Sequence, residues 1–212
     1  LAGQAIQIRG QCSHQRLPLT GFHFRDVALV PFLDGFVIAE AAGVSLWRMS
    51  DGSLINRLTE TGGIMDVSAS ADGRYVAAYN FVDDQLIIWP LENVDAAVTI
   101  NNVEALYMDL SADGSRIAAQ GPSGAFVWNT ADGSLITSLE TNGTPATAAS
   151  LSADGNLLAV GFENGSVTVL DIALDQIVSS FDHAHPPNDI SIDPDNNSMA
   201  VGLDHEATQS NT

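Results

Sequence analysis

Basic residues are scarce in this chain: it has no lysine, and 7 arginines face 26 aspartates and glutamates, giving a formal net charge of −19 at pH 7. Binding to a nucleic-acid backbone needs a basic surface, so this composition excludes nucleic acid as the expected partner. The acidic balance instead favours protein partners with a basic contact surface. Cysteine is equally scarce, and with Cys12 alone no internal disulfide can form.

Long apolar runs are also missing. The most apolar stretch, around Leu86–Leu91, is far shorter than the roughly 20 residues of a membrane-spanning helix, so we expect no membrane span. Apolar residues make up 45% of the chain and charged residues only 16%, which is enough for a packed core. The lysine-free, acidic composition and a first residue other than Met favour an extracytoplasmic or secreted location, with a cytoplasmic one as the alternative.

Motifs of catalysis are absent from the sequence. It contains no nucleophile elbow, P-loop, zinc-protease helix or dinucleotide fingerprint, so we expect no catalytic residue, no cofactor and no enzyme activity. His183 and His185 alternate as two metal ligands on a strand would. Because Pro186 and Pro187 follow directly, an exposed polar loop is favoured and no metal site is predicted.

An internal repeat organises what is present. Ser-Ala-Asp-Gly begins at Ser70, Ser111 and Ser152, and a degenerate copy begins one further step of 41 residues along, at Asp193. A period of this size is typical of one four-stranded propeller blade. A second set of markers has nearly the same period, with steps of 42, 39 and 42 residues: Trp47, Trp89, Trp128 and Leu170.

Within each unit, short apolar or alternating runs are bounded by turn residues, which predicts strands and almost no helix. Asp-Gly pairs supply the positive φ of tight hairpins and should join the first two strands of a unit. These pairs are Asp72-Gly73, Asp113-Gly114 and Asp154-Gly155. A second turn at Asp51–Ser53 and Asp132–Ser134 should join the third and fourth strands.

These segments carry a family resemblance. Asp83–Trp89 and Asn164–Asp171 resemble the third strand of WD40 repeats, and Ser70–Gly73 resembles the Ser-Pro-Asp-Gly turn of that family. The Trp-Asp ending of the family is altered, as in Trp89-Pro90, so apolar packing between sheets should replace part of its hydrogen-bonded network. The resemblance implies a non-catalytic protein-protein interaction scaffold, a subunit of a larger assembly. The alternative is a carbohydrate- or small-ligand-binding propeller or a propeller hydrolase.

The sequence therefore predicts an all-β fold, a single β-propeller domain over residues 1–212 with four-stranded antiparallel blades. Five units are expected, at about 22–60, 63–100, 104–141, 145–181 and 188–212. A strand within residues 1–10 is expected to supply the missing fourth strand of the last blade. The alternative is one part of a larger, seven- or eight-bladed ring.

The WD40 resemblance also implies where a partner binds, on the face built by loops that enter each blade and loops that join second to third strands. In this sequence those loops carry Asp66, Phe81, Asp83, Asp84, Phe162, Glu163, His183, His185, Asp189 and His205. Exposed aromatics ringed by carboxylates suit a basic partner.

The tryptophans and the Asp-Gly pairs are predicted to be structural: Trp47, Trp89, Trp128, Asp72, Gly73, Asp113, Gly114, Asp154 and Gly155.

Overall fold

The computed structural model describes residues 7–9, 14–16, 24–140 and 143–203. Within these residues the chain is all-β, with only two three-residue 3-10 helices, Pro31–Leu33 and Val94–Ala96. None of the helices in the described part is long and apolar enough to cross a membrane.

Four sheets have four strands each, and in every one the strands follow one another antiparallel in chain order. We call each sheet a blade. Blade 1 holds β3 (Phe24–Val30), β4 (Gly35–Glu40), β5 (Gly43–Arg48) and β6 (Leu54–Thr59). Blade 2 holds β7 (Ile64–Ala69), β8 (Tyr75–Asn80), β9 (Gln85–Pro90) and β10 (Val98–Asn101). Blade 3 holds β11 (Tyr107–Leu110), β12 (Arg116–Gly121), β13 (Gly124–Asn129) and β14 (Leu135–Glu140). Blade 4 holds β15 (Ala146–Leu151), β16 (Leu157–Phe162), β17 (Ser166–Asp171) and β18 (Gln176–Asp182).

Neighbouring blades contact each other through their first strands. β7 contacts both β3 and β11, and β15 contacts both β11 and the strand that opens the next unit, β19 (Pro187–Ile192). The first strands therefore line the centre of the assembly and the fourth strands lie at its outside, as in a β-propeller.

The core lies between blades, because side chains alternate along each second strand and both of its faces are covered. In β8, Val76 and Ala78 pack towards blade 1, whereas Ala77 and Tyr79 pack towards blade 3. Strands β12 and β16 divide their side chains in the same way between the blades before and after them. Each blade is therefore stabilised by the next one rather than by a core of its own.

Two of the third-strand tryptophans lie at these interfaces. Trp89 is 3% exposed and packs between blades 1 and 2, and Trp128 is 7% exposed and packs between blades 2 and 3. Trp47 is half-buried, and its indole Nε1 donates to Ser45 Oγ at 2.7 Å.

The Ser-Ala-Asp-Gly turns share one hydrogen-bond pattern. In blade 3, buried Ser111 donates to Asp113 Oδ1 at 2.7 Å, and its Oγ accepts the Arg116 N–H at 3.1 Å. Gly114 has a φ of 65°, which a side chain would disfavour. The turns at Ser70 and Ser152 repeat the serine-to-aspartate bond at the same 2.7 Å.

The expected closure of the last blade by an N-terminal strand stays a prediction. β1 (Gln7–Arg9) pairs with β2 (His14–Arg16) in a separate two-stranded sheet, whereas β19 pairs with β20 (Met199–Leu203) in another. A pairing between segments so close in the chain closes a short loop, which costs less entropy than bringing distant segments together. The expected third strand of the last blade lies outside the described residues, and a closed ring of five blades stays a prediction.

Packing between blades predicts a large cost for truncating an interface tryptophan. Trp89→Ala should lower the free energy of unfolding by about 3 to 5 kcal/mol, because it removes a buried aromatic and leaves a cavity. Urea unfolding followed by circular dichroism measures this change. Leu174→Ala is the control, since Leu174 is 63% exposed and should cost little; equal losses for the two variants would contradict the interface role.

Candidate functional site

The loops of the blades lie at two opposite ends. In blade 2, the loop joining second to third strands bonds to the segments entering that blade and the next: Phe81 N–H donates to Gly63 O at 3.0 Å, and Val103 N–H donates to Asp84 O at 3.0 Å. We call this end the upper rim.

The lower rim carries the turns between first and second strands and those between third and fourth strands. Backbone hydrogen bonds join these two kinds of turn: Thr130 N–H donates to Ser115 O at 3.2 Å, and Leu91 N–H donates to Arg74 O at 2.8 Å. The two rims therefore present different sets of side chains.

Arginines are used within the fold at the lower rim. Arg74 pairs with Asp72 and also donates to the Asp113 carbonyl of the next blade, and Arg116 donates to the Gly155 carbonyl in the same way. Among the described side chains, Arg74 with Asp72 is the one ion pair. These two arginines therefore link neighbouring turns at the lower rim.

Carboxylates at the upper rim remain exposed. Asp83 accepts from Asn80 Nδ2 at 2.9 Å, and Asp84 accepts from Tyr79 Oη at 3.2 Å, so both are oriented by neutral donors. Glu163 is exposed as well. The rim therefore offers oriented negative charge that forms no ion pair with a described side chain.

The two aromatics predicted for the contact face differ in accessibility. Phe81 is 43% exposed, with the Arg25 guanidinium carbon 5.3 Å from its ring centre, a cation–π contact. Phe162 is only 8% exposed and packs between blades 3 and 4. The expectation of an exposed aromatic at Phe162 is wrong, because the last residue of β16 still points its ring into the interface.

The histidine segment follows the fourth blade. His183 is half-buried and lies edge-on to Phe181, with ring centres 5.4 Å apart, and His185 is exposed. Gly165 fits beneath this segment only as glycine, since a Cβ there would lie 2.2 Å from the His183 carbonyl oxygen. His205 lies outside the described residues. Within the described chain, no group of three or more His, Cys, Asp and Glu residues could hold a metal ion.

Asp66 lies within β7 and not in a loop. Its Oδ2 accepts the Met108 N–H of the next blade at 2.9 Å. The same link recurs around the centre: Val67 N–H donates to Asp26 Oδ2 at 3.0 Å, and Leu151 N–H donates to Asp109 Oδ2 at 3.0 Å. Asp66 therefore joins blades 2 and 3 instead of presenting a carboxylate to a partner.

Burial changes the acidity of these central carboxyls. Burial, and then the hydrogen bond with the Asp26 carboxyl, raises the pKa of Asp66 from its ordinary 3.8 to about 7. Burial likewise raises the pKa of Asp109. Asp66 therefore keeps its proton up to near neutral pH, where it faces the Asp26 carboxyl of blade 1.

The last predicted contact residue, Asp189, is exposed in β19 and lines a central cavity of about 580 Å³. Tyr107, Asp109 and Ser150 line the same cavity. Asp66, Asp109 and Asp189 thus lie on the first strands, away from the loops that carry Asp83, Asp84 and Glu163.

Sequence reasoning missed several residues that shape these regions. Asp26 and Asp109 bracket Asp66 at steps of 40 and 43 residues, so the repeat itself could have identified them as equivalent. Glu104 and Phe126 at the upper rim were also missed. An alignment of the third strands would have shown that Phe126 is an aromatic residue at a position where the other blades have none.

The raised pKa of Asp66 predicts an unusual pH dependence of stability. Folded Asp66 holds its proton up to about pH 7 and the unfolded carboxyl only to about 3.8, so this stabilisation is full below pH 3.8 and is lost as pH rises through 7. Between pH 5 and 8 the free energy of unfolding should fall by on the order of 1 to 3 kcal/mol.

Asp66→Asn should flatten this fall, since an amide keeps the acceptor for Met108 without titrating. Urea unfolding at each pH measures it. Asp51→Asn is the control, because hydrogen bonds from Ser53 lower the pKa of exposed Asp51 and keep it ionised throughout this range. A slope unchanged by Asp66→Asn would rule out Asp66 as its source.

No family model matches the chain, and no curated protein matches it in sequence. Its structure is similar to the crystal structure of the Cps50 (Swd1) β-propeller domain of Myceliophteria thermophila, with a TM-score of 0.73 and 15% sequence identity. The match covers 87% of this chain and 65% of that domain, so the chain spans slightly less than two thirds of its length. A likeness at this level of identity shows the fold alone: the chain folds as a β-propeller.

Proposed function

We propose that the chain is a non-catalytic, WD40-like interaction scaffold that binds a protein partner with a basic contact surface through its upper rim. The observation that carries this proposal is the group of exposed, oriented carboxylates at the upper rim that no described arginine pairs with. Arg74 and Arg116 bond within the fold at the lower rim, whereas Asp83, Asp84 and Glu163 at the upper rim form no ion pair among the described side chains. A basic surface complements that rim.

The shape of the upper rim supports a single large partner. Its loops between second and third strands differ in length and content, from residues 41–42 in blade 1 to residues 81–84 in blade 2. Repeated pockets for one small ligand would need the same side chains in each blade. Unequal loops instead form one asymmetric surface, which suits a protein partner.

The likeness to a propeller domain supports an interaction role in general terms. The third-strand tryptophans and the Ser-x-Asp-Gly turns support the comparison with WD40 repeats. A role as a subunit of a larger assembly is part of the same proposal.

Removing rim charge tests the proposal. Asp83→Asn combined with Glu163→Gln should weaken binding of an arginine-rich decapeptide by about 2- to 20-fold at low salt, because each exposed carboxylate contributes modestly. Raising the salt concentration should shrink this difference. Isothermal titration calorimetry measures both affinities.

The matched control moves the same loss of charge to the lower rim. Asp51→Asn combined with Asp132→Asn removes two exposed carboxylates from turns between third and fourth strands. It should leave the affinity nearly unchanged. Equal weakening by both double variants would mean that net charge, and not the upper rim, attracts the peptide.

A further inference from the structure

A cleft of about 350 Å³ opens at the upper rim between blades 2 and 3. Carboxylates, polar side chains and aromatic rings line it: Asp84, Asn102, Glu104, Ser123, Phe126 and Trp128. None of the described arginine side chains is among its lining residues. The cleft therefore combines negative charge with aromatic surface and has no cation of its own.

The aromatic wall comes from β13. Phe126 and Trp128 lie two residues apart on one face of this strand, with ring centres 5.9 Å apart and an angle of 25° between the ring planes. Trp128 is buried, and half-buried Phe126 keeps part of its ring accessible. Such a wall offers a π-face to a flat or charged group.

The carboxylates are held in place by neutral groups. Tyr79 Oη donates to Asp84 Oδ1 at 3.2 Å, and Ser123 Oγ donates to Glu104 Oε2 at 3.3 Å. The Asp84 carbonyl also accepts the Val103 N–H at 3.0 Å, which joins the two sides of the cleft. Both carboxylates keep free acceptor capacity, because a carboxylate can accept about four hydrogen bonds.

The aromatic at position 126 is not required by the blade. Counted from the tryptophan of each third strand, the residue equivalent to Phe126 is Ser45 in blade 1, Ile87 in blade 2 and Thr168 in blade 4. Thr168 lines the corresponding cleft between blades 3 and 4, which is smaller, about 200 Å³. The fold is thus built with a hydroxyl or an aliphatic group at this position, and Phe126 gives one cleft a distinct surface.

We propose that this cleft receives an arginine side chain of the basic partner, with the guanidinium against Phe126 and hydrogen-bonded to Asp84 and Glu104. The proposal rests on the proposed function and names the group that the upper rim selects. Arginine fits better than lysine because its planar guanidinium stacks on aromatic rings and bonds to carboxylates with two N–H groups at once. The contact of Arg25 with Phe81 shows the same pairing on the same rim.

Two decapeptides of equal charge separate this proposal from general attraction to the rim. One carries five arginines between glycines and serines, and the other carries five lysines at the same positions. The unmodified chain should bind the arginine peptide about 3- to 30-fold more tightly, as a cation–π contact in a partly desolvated site provides. Isothermal titration calorimetry at constant salt measures the ratio.

Phe126→Thr, which restores the residue of blade 4, and Glu104→Gln should each reduce this ratio towards one. Glu104 is exposed, so its variant keeps the test valid if Phe126→Thr fails to fold, which circular dichroism and thermal melting report. Thr168→Val, the matched change in the other cleft, should keep the full preference.

Equal affinities of the unmodified chain for the two peptides would overturn the cleft proposal while leaving the proposed function intact. A preference that survives in both cleft variants would overturn it as well. If neither peptide binds, the proposed function fails and the cleft proposal fails with it.

Discussion

Face-to-face packing between successive blades is the constraint on which the rest of the structure depends. A four-stranded sheet that is covered on one face has polar side chains on its other, solvated face, but the second strands here are buried on both faces. Val76 and Ala77, adjacent in β8, belong to two different interfaces. Each second strand is therefore stabilised by the blade on either side of it, and this double burial sets the order of the blades.

Polar groups add direction to this apolar packing. At the centre, a first-strand aspartate accepts a backbone N–H from the following blade, as Asp109 does from Leu151. At the lower rim, Arg74 reaches the turn of the following blade. These links use Arg74, Arg116 and several of the chain's carboxylates, whereas Asp83, Asp84 and Glu163 at the upper rim face solvent without ionic partners in the described chain.

The repeat made the architecture predictable, because a period near 41 residues and Asp-Gly turns are local signals that depend on nothing far away. The contact face was less predictable. Phe162 and Asp66 looked like loop residues, but one packs between blades and the other bonds across them. Both outcomes depend on the neighbouring blade, which a pattern within a single unit does not contain. The pairing of Gln7–Arg9 with His14–Arg16 was missed for a related reason, since three-residue strands carry almost no periodicity.

The one-way order of the aspartate links has a consequence for synthesis on the ribosome. Each donor N–H lies about 41 residues after the carboxylate that accepts it, as from Asp26 to Val67. A blade that has already emerged from the ribosome thus offers the next blade an apolar face and an aspartate carboxyl group that can accept its backbone N–H. The blades can therefore pack one after another, starting from the amino terminus. Vectorial growth of this kind shortens the time for which any apolar face stays uncovered, which limits association between nascent chains.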